Sequence, residues 1–103
     1  MGKMTTVSSE RAGSDQSGVD ATYQLYKTDL CGFCFRVRGF IDESGLQVTL
    51  RDIQREGEAF RELLKATGRA TVPCLRIEEA GQVRWMHESM DIITFLAQRH
   101  GLA

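Results

Sequence analysis

The sequence has few of the residues and segments that mark secreted, membrane-spanning or nucleic-acid-binding proteins. Three cysteines in 103 residues are too few for a small secreted scaffold held together by disulfides. No apolar run is long enough to span a bilayer, and no charged-then-apolar leader begins the chain. The 13 basic and 14 acidic residues give a formal net charge of −1, without the basic excess of a nucleic-acid binder. We therefore expect a soluble cytoplasmic protein that binds neither nucleic acid nor membrane.

The bulk composition is that of one ordinary globular domain. Hydrophobic residues make up 42% of the chain and charged residues 26%, which is close to average usage and allows a packed core. Residues 1–20 are rich in Ser, Gly, Thr and charge, so they cannot bury enough apolar surface to offset the entropy lost on ordering. We predict a flexible tail over residues 1–20 and a folded domain over residues 21–103.

The hydrophobic pattern predicts the element order β-α-β-α-β-β-α. Alternating or β-prone segments predict strands at residues 23–26, 46–50, 74–77 and 83–86. A strand–helix–strand beginning requires a parallel pair with a right-handed crossover, and a closing hairpin requires an antiparallel pair. The predicted fold is therefore an α/β fold with a four-stranded mixed β-sheet flanked by helices.

Glycine and serine positions predict where the helices end and begin. Gly45 and Gly68 are expected to end the first two helices, and Ser89 is predicted to be the N-cap of the third. Val37, Phe40 and Ile41 share one face of the first helix at helical spacing, and Phe60, Leu63 and Leu64 mark the second helix.

The segment Cys31-Gly32-Phe33-Cys34 lies where the first strand is predicted to pass into the first helix. A thiol at a helix N-terminus faces unpaired backbone N–H groups and the positive end of the helix dipole, and both favour the thiolate. The thiolate is the attacking species in disulfide exchange. Cys34 lies one helical turn further on, where it can attack a mixed disulfide at Cys31. We predict that Cys31 is the nucleophile and Cys34 the resolving thiol.

Zinc sites use the same Cys-x-x-Cys spacing, so the pair alone does not identify its chemistry. A structural zinc ion would require two further ligands. Cys74, His87 and His100 are the remaining Cys and His residues, and no two of them form a second close pair. The position between a strand and a helix also favours redox chemistry over zinc binding.

Three segments resemble the glutaredoxins, a family within the thioredoxin fold. Leu25-Tyr26 and Asp29 lead into the cysteine pair. Residues 67–73 are similar to the family's Thr-Gly-x-x-Thr-Val-Pro stretch, and residues 88–93 to the Glu-Ser start of the last helix in glutaredoxin and glutathione-transferase thioredoxin domains. The resemblance covers residues 21–102. It implies an enzyme that reduces glutathionylated or disulfide-containing proteins, or small disulfides, with glutathione as co-substrate.

The same resemblance implies which residues bind glutathione. The Val72–Pro73 peptide bond would be cis, placing the Val72 backbone beside Cys31, where it pairs with the extended backbone of glutathione. Ser89 would bind the γ-glutamyl carboxylate and Glu88 the amine. The implied glutathione-binding set is Lys27, Phe33, Thr71, Val72, Pro73, Glu88 and Ser89. For the glycyl carboxylate, the candidates are Lys27, Gln54 and Arg69.

The residues after Cys31 depart from the common glutaredoxin pattern. Gly32 stands where proline is common, and Phe33 where dithiol members usually have tyrosine. Cys31-Gly32-Phe33 is similar to the monothiol branch, which can hold an iron–sulfur cluster between two subunits with glutathione as co-ligand. The alternative function is therefore an iron–sulfur cluster binding or carrier protein that uses Cys31. We expect a monomer, or a dimer if a cluster is bound.

Cys74 follows Pro73 directly, so a third sulfur is expected near the active-site pair. We predict that Cys74 is a small buried hydrophobic side chain, with a secondary oxidation site or an extra metal ligand as the alternative. A third interpretation of the whole domain is a docking module that keeps the fold without thiol chemistry.

Overall fold

The computed structural model describes residues 21–102. The predicted tail, residues 1–20, and residue 103 lie outside the described residues. Seven elements follow one another: β1 (Thr22–Lys27), α1 (Gly32–Ser44), β2 (Val48–Asp52), α2 (Gly57–Thr67), β3 (Cys74–Glu79), β4 (Gln82–Met86) and α3 (Ser89–Arg99). The predicted element order is confirmed.

The four strands form one mixed sheet in the order β2-β1-β3-β4. β1 is parallel to β2 and antiparallel to β3, and β3 is antiparallel to β4. Lys27 at the end of β1 is opposite Asp52, and Tyr26 is opposite Cys74 at the start of β3. In this topology, β1 and β2 end at the same end of the sheet. The start of β3 and the N-terminus of α1 lie at that end too. The thioredoxin-like α/β fold is confirmed.

The hydrophobic core lies on both faces of β1 and β3. On one face, α1 and α3 cover a buried cluster consisting of Tyr23, Leu25, Val37, Ile41, Leu75, Ile77, Ile92 and Leu96. On the other face, α2 covers a smaller cluster consisting of Tyr26, Ala59, Leu63 and Cys74. Because β1 is buried on both faces, its position is defined by packing from two layers. The loop that leads from it to α1 therefore starts from a rigid base.

Two glycines end the first two helices, as predicted. Gly45 follows α1 with φ 73° and Gly68 follows α2 with φ 80°, both in the left-handed region. The Gly45 N–H donates to the Ile41 carbonyl at 3.0 Å, and the Gly68 N–H to the Leu64 carbonyl at 2.8 Å. Side chains with a Cβ rarely adopt this conformation, so glycine is the residue that these helix ends require.

The predicted N-cap of α3 is wrong by one residue. Glu88 is the cap, with φ −58° and ψ 129°, and Ser89 is the first helical residue. The Glu88 side chain makes no capping hydrogen bond. Ser89 is buried in the first turn of α3.

The three apolar residues expected to mark α2 differ in their burial. Ala59 and Leu63 are buried against the sheet, whereas Phe60 and Leu64 are exposed. Phe60 and Leu64 each follow Ala59 and Leu63 by one position, which is a rotation of about 100° around the helix axis. Only one of the two pairs can therefore face the sheet directly. The predicted second strand, residues 46–50, begins two residues too early, because β2 spans Val48–Asp52 and Leu46 precedes it. Leu50 lies on this edge strand and is partly exposed.

Candidate active site

Cys31 is the N-cap of α1, and its sulfur accepts a hydrogen bond from the helix. The Cys34 N–H donates to Cys31 Sγ at 3.2 Å, and the Cys31 backbone is extended, with φ −94° and ψ 114°. The first turn of α1 contains no acidic residue. Unpaired backbone N–H groups and the positive end of the helix dipole therefore face this sulfur, with no carboxylate on the same turn.

Cys34 is almost completely buried beneath Cys31, one turn into α1. Burial, together with its hydrogen bond to Cys31, raises the pKa of the Cys34 thiol to about 12. Cys34 is therefore protonated at neutral pH, and Cys31 is the more accessible sulfur of the pair. All three cysteines are free thiols.

The loop before β3 lies against Cys31. The Val72–Pro73 peptide bond is cis, and the Val72 carbonyl oxygen is 3.9 Å from Cys31 Sγ. Thr71 is exposed, Val72 half-buried and Pro73 buried. The structure thus brings the Val72 backbone and Cys31 together, as the resemblance implied.

Lys27 is buried, and its ammonium group is paired with two carboxylates. Lys27 Nζ donates to Asp29 Oδ1 at 2.8 Å and to Asp52 Oδ2 at 3.3 Å. The hydrogen bond with Asp29 is the main cause of the raised pKa of Lys27. Arg55 joins the same cluster, at 2.8 Å from Asp29 and 3.4 Å from Asp52. We name Lys27, Asp29, Asp52 and Arg55 the ion-pair cluster.

The ion-pair cluster was not predicted from the sequence, and the resemblance assigned Lys27 to glutathione. Lys27 and Asp52 are far apart in the chain, and the parallel register of β1 and β2 places them side by side. Gln54 and Arg69, the other two candidates for the glycyl carboxylate, are exposed. Because the Lys27 ammonium is already paired, these two are better placed to meet a ligand from solvent.

Lys27→Met is expected to destabilise the fold by about 2 kcal/mol, because it leaves the buried Asp52 carboxylate without its lysine partner. The loss is smaller than that for an isolated buried pair, since Arg55 and the Gln54 N–H also contact Asp52. Urea unfolding measures the change. Arg55→Met is the control, with a smaller loss because Arg55 is largely exposed. An unchanged unfolding midpoint for Lys27→Met would contradict this role.

The remaining residues predicted to bind glutathione lie at the start of α3 and in the first turn of α1. Glu88 is exposed and Ser89 buried, and Phe33, in the first turn of α1, is largely exposed. Arg36 Nη1 lies 3.8 Å from Met90 Sδ, which places the first turn of α3 beside the second turn of α1. Backbone donors at this helix start are suited to a carboxylate.

Cys74 is fully buried, as predicted, and burial raises the pKa of its thiol to about 11. Its sulfur is 3.8 Å from His87 Nε2. Residues 21–102 contain no group of three or more His, Cys, Asp or Glu side chains arranged to hold a metal ion. No helix in this part of the chain is both long and apolar enough to cross a membrane.

Iodoacetamide at pH 8 is expected to label Cys31 well before the other thiols. On the order of 10⁻⁴ of Cys34 and 10⁻³ of Cys74 would be thiolate at that pH, given pKa values of about 12 and 11. Because these pKa values are raised, labelling of both thiols should increase with pH. Peptide mapping by mass spectrometry measures the three rates. Equal labelling of all three cysteines in the folded protein would contradict this assignment.

Solved structures similar to this chain include glutathione-related enzymes. A maleylacetoacetate isomerase from Anaeromyxobacter dehalogenans, solved with bound dicarboxyethyl glutathione and citrate in the active site, is 27% identical. The match covers 81% of this chain and 39% of the isomerase, with a TM-score of 0.63. A trimeric glutathione transferase from Leishmania is 28% identical over 77% of this chain and 18% of its own, also with a TM-score of 0.63.

A thioredoxin-like protein matches 73% of this chain and 99% of its own, at 17% identity and a TM-score of 0.57, which shows the fold alone. Among curated proteins, none matches the sequence at a significant level. The chain spans about two fifths of the isomerase and less of the Leishmania enzyme. The family model for the glutathione S-transferase N-terminal domain matches residues 25–103. This chain therefore belongs to the glutathione S-transferase N-terminal domain family.

Proposed function

We propose that this protein is a glutathione-dependent thiol–disulfide oxidoreductase of the glutaredoxin type, with Cys31 as its nucleophile. One observation carries the proposal: Cys31 Sγ accepts the Cys34 N–H at the start of α1 and lies 3.9 Å from the Val72 carbonyl. Helix N-termini favour thiolates in general, and the Val72 backbone before Pro73 offers hydrogen-bonding groups to a peptide-like ligand. Glutathione is such a ligand.

The proposed reaction is two consecutive thiol–disulfide exchanges at Cys31. The Cys31 thiolate attacks the glutathionyl sulfur of a protein–glutathione mixed disulfide, and the protein leaves as a thiolate. The product is a mixed disulfide between Cys31 and glutathione. The thiolate of a second glutathione attacks the glutathionyl sulfur of that bond, which forms glutathione disulfide and regenerates the Cys31 thiolate.

Cys34 offers a second way to resolve the intermediate. Its thiolate would attack Cys31 Sγ, release glutathione as a thiolate and leave a Cys31–Cys34 disulfide. Burial and a pKa of about 12 make the Cys34 thiolate scarce at neutral pH. The route through a second glutathione should therefore predominate.

Glutathione is proposed to lie between the loop before β3 and the start of α3. Its extended backbone would pair with Val72, with Thr71 and Pro73 shaping the loop and Phe33 covering one side. Ser89 and Glu88 would bind the γ-glutamyl carboxylate and amine at the helix start. The bound dicarboxyethyl glutathione in the isomerase and the activity named for the Leishmania enzyme support a glutathione ligand.

Turnover of the cysteine–glutathione mixed disulfide, coupled to glutathione reductase and NADPH, tests the proposal. The expected result is rapid, glutathione-dependent NADPH oxidation that requires this protein. Glutathione addition to a small electrophile is measured on the same preparation. Addition without disulfide turnover would overturn the proposal in favour of a transferase reaction.

A further inference from the structure

A groove of about 220 Å³ lies between the second half of α1 and the edge strand β2. It is lined by Arg38, Ile41, Asp42, Gly45, Leu46, Val48 and Leu50. The four α1 residues recur at a spacing of three or four, so they form one stripe of the helix. Val48 pairs with Tyr23, which is buried beneath α1 and α3, and Leu50 points to the same face of β2. We name this space the β2 groove.

The floor of the β2 groove ends at an open edge of the sheet. In residues 21–102, β2 pairs with β1 alone, so the backbone groups along its outer edge have no strand partner. Leu50 is 37% exposed and Val48 is half-buried, which puts apolar side chains beside that edge. An open strand edge with apolar pockets next to it can accept an extended peptide as an additional strand.

Arg38 provides a cationic group at the wall of the β2 groove. Its Nε is buried and has no hydrogen-bond partner among residues 21–102. A buried N–H without an acceptor is unfavourable, so a ligand that supplies an acceptor here gains more than it would at an exposed arginine. A carboxylate suits the guanidinium best, because it can accept two hydrogen bonds at once. The groove therefore favours a peptide with an acidic side chain.

Asp42 distinguishes the two ends of the β2 groove. It follows Arg38 by one helical turn, about 6 Å along the axis, and alternate side chains of an extended strand are about 7 Å apart. Successive groove-facing side chains of a peptide would therefore meet Arg38 and then Asp42. Asp42 repels a second acidic group, whereas an aliphatic side chain fits between Ile41 and Val48.

The direction of the peptide follows from the topology. Since α1 connects the parallel strands β1 and β2, it runs back along the sheet, and Arg38 lies nearer the end of β2 than Asp42 does. Antiparallel pairing is slightly more stable than parallel pairing. A peptide antiparallel to β2 would reach Arg38 first, so its acidic residue precedes its aliphatic residue.

We propose that the β2 groove binds an extended peptide segment of a partner protein as a fifth strand, antiparallel to β2. The segment has an acidic residue at Arg38, followed two positions later by an aliphatic residue. The β2 groove shares no residue with the set assigned to glutathione or with the thiol pair. The inference therefore goes beyond the proposed function and does not depend on it.

Titration of the full chain with the end-blocked octapeptide Lys-Thr-Glu-Thr-Val-Thr-Val-Lys tests the inference, with calorimetry and amide chemical shifts as readouts. The expected result is saturable binding, with shifts concentrated in β2 and the second half of α1. Glu→Gln in the peptide and Arg38→Gln in the protein should each weaken binding about tenfold. Combining the two changes should weaken it little further, because both remove the same ion pair. Cys31→Ser should bind the octapeptide unchanged.

Arg36→Gln is the matched control, since Arg36 lies on the same helix but contacts Met90 and does not line the β2 groove. It should leave binding unchanged. Absent binding, or equal weakening by Arg36→Gln and Arg38→Gln, would overturn the inference. Shifts confined to the first turns of α1 and α3 would also overturn it, because the peptide would then lie at the thiol site.

Two other occupants of the β2 groove would be recognised in the same experiment. Shifts of the β2 amides that grow with protein concentration, in the absence of peptide, would overturn the inference in favour of a second copy. Octapeptide binding that appears only after removal of residues 1–20 would overturn it in favour of the chain's own N-terminal segment.

Discussion

Cys31→Ser is expected to lower kcat/KM for glutathione mixed disulfides by about three orders of magnitude or more. The serine hydroxyl is not ionised at neutral pH and cannot form the mixed disulfide, although the helix N-terminus and the Val72 loop remain. The variant should fold normally, because Cys31 lies at the surface edge of α1 and its side chain is only half-buried. The coupled glutathione reductase assay measures the loss.

Cys34→Ser is the matched control for this loss. It changes the other thiol of the same pair but leaves the backbone N–H that donates to Cys31 Sγ. Because a second glutathione can resolve the intermediate, turnover should stay within a few-fold of the unmodified protein. Full activity in Cys31→Ser, or complete loss in Cys34→Ser with the fold intact, would contradict the assignment of nucleophile and resolving thiol.

Leu63→Ala is expected to lower the free energy of unfolding by about 3 kcal/mol, within the usual range for a leucine removed from a core. Leu63 is fully buried in the cluster that packs α2 against the sheet, with Tyr26, Ala59 and Cys74. That cluster is small, so few neighbouring side chains can move to fill the cavity. Urea unfolding monitored by circular dichroism measures the change in midpoint at constant slope.

Leu64→Ala makes the same chemical change one residue further along the same helix. Leu64 is 42% exposed, so its truncation should cost about 1 kcal/mol or less. Equal losses for the two variants would mean that α2 does not present the Ala59 and Leu63 face to the sheet.

Hydrophobic periodicity was enough to predict most of the fold. The β-prone segment 23–26 and the helical spacing of Val37 and Ile41 reflect burial, and the structure buries Tyr23, Leu25, Tyr26, Val37 and Ile41. The failures were local. Ser89 is a preferred capping residue, but the cap is Glu88; Phe60 and Leu64 are apolar, but Ala59 and Leu63 face the sheet. In α2, packing against Tyr26 and Cys74 of the sheet buries Ala59 and Leu63 rather than their apolar neighbours.

The residues of the candidate site also divide into those that could be predicted from the sequence and those that could not. Cys31, Cys34 and the Val72–Pro73 segment could be predicted because strand-to-helix placement and short motifs are local properties of the chain. The ion-pair cluster could not, since Lys27 and Asp52 meet only through the parallel register of β1 and β2. The sequence by itself determined the element order and the position of the Cys31 and Cys34 pair at the start of α1. Tertiary structure alone decided which charges are paired and which apolar side chains remain exposed, because pairing and burial depend on contacts between residues distant in the chain.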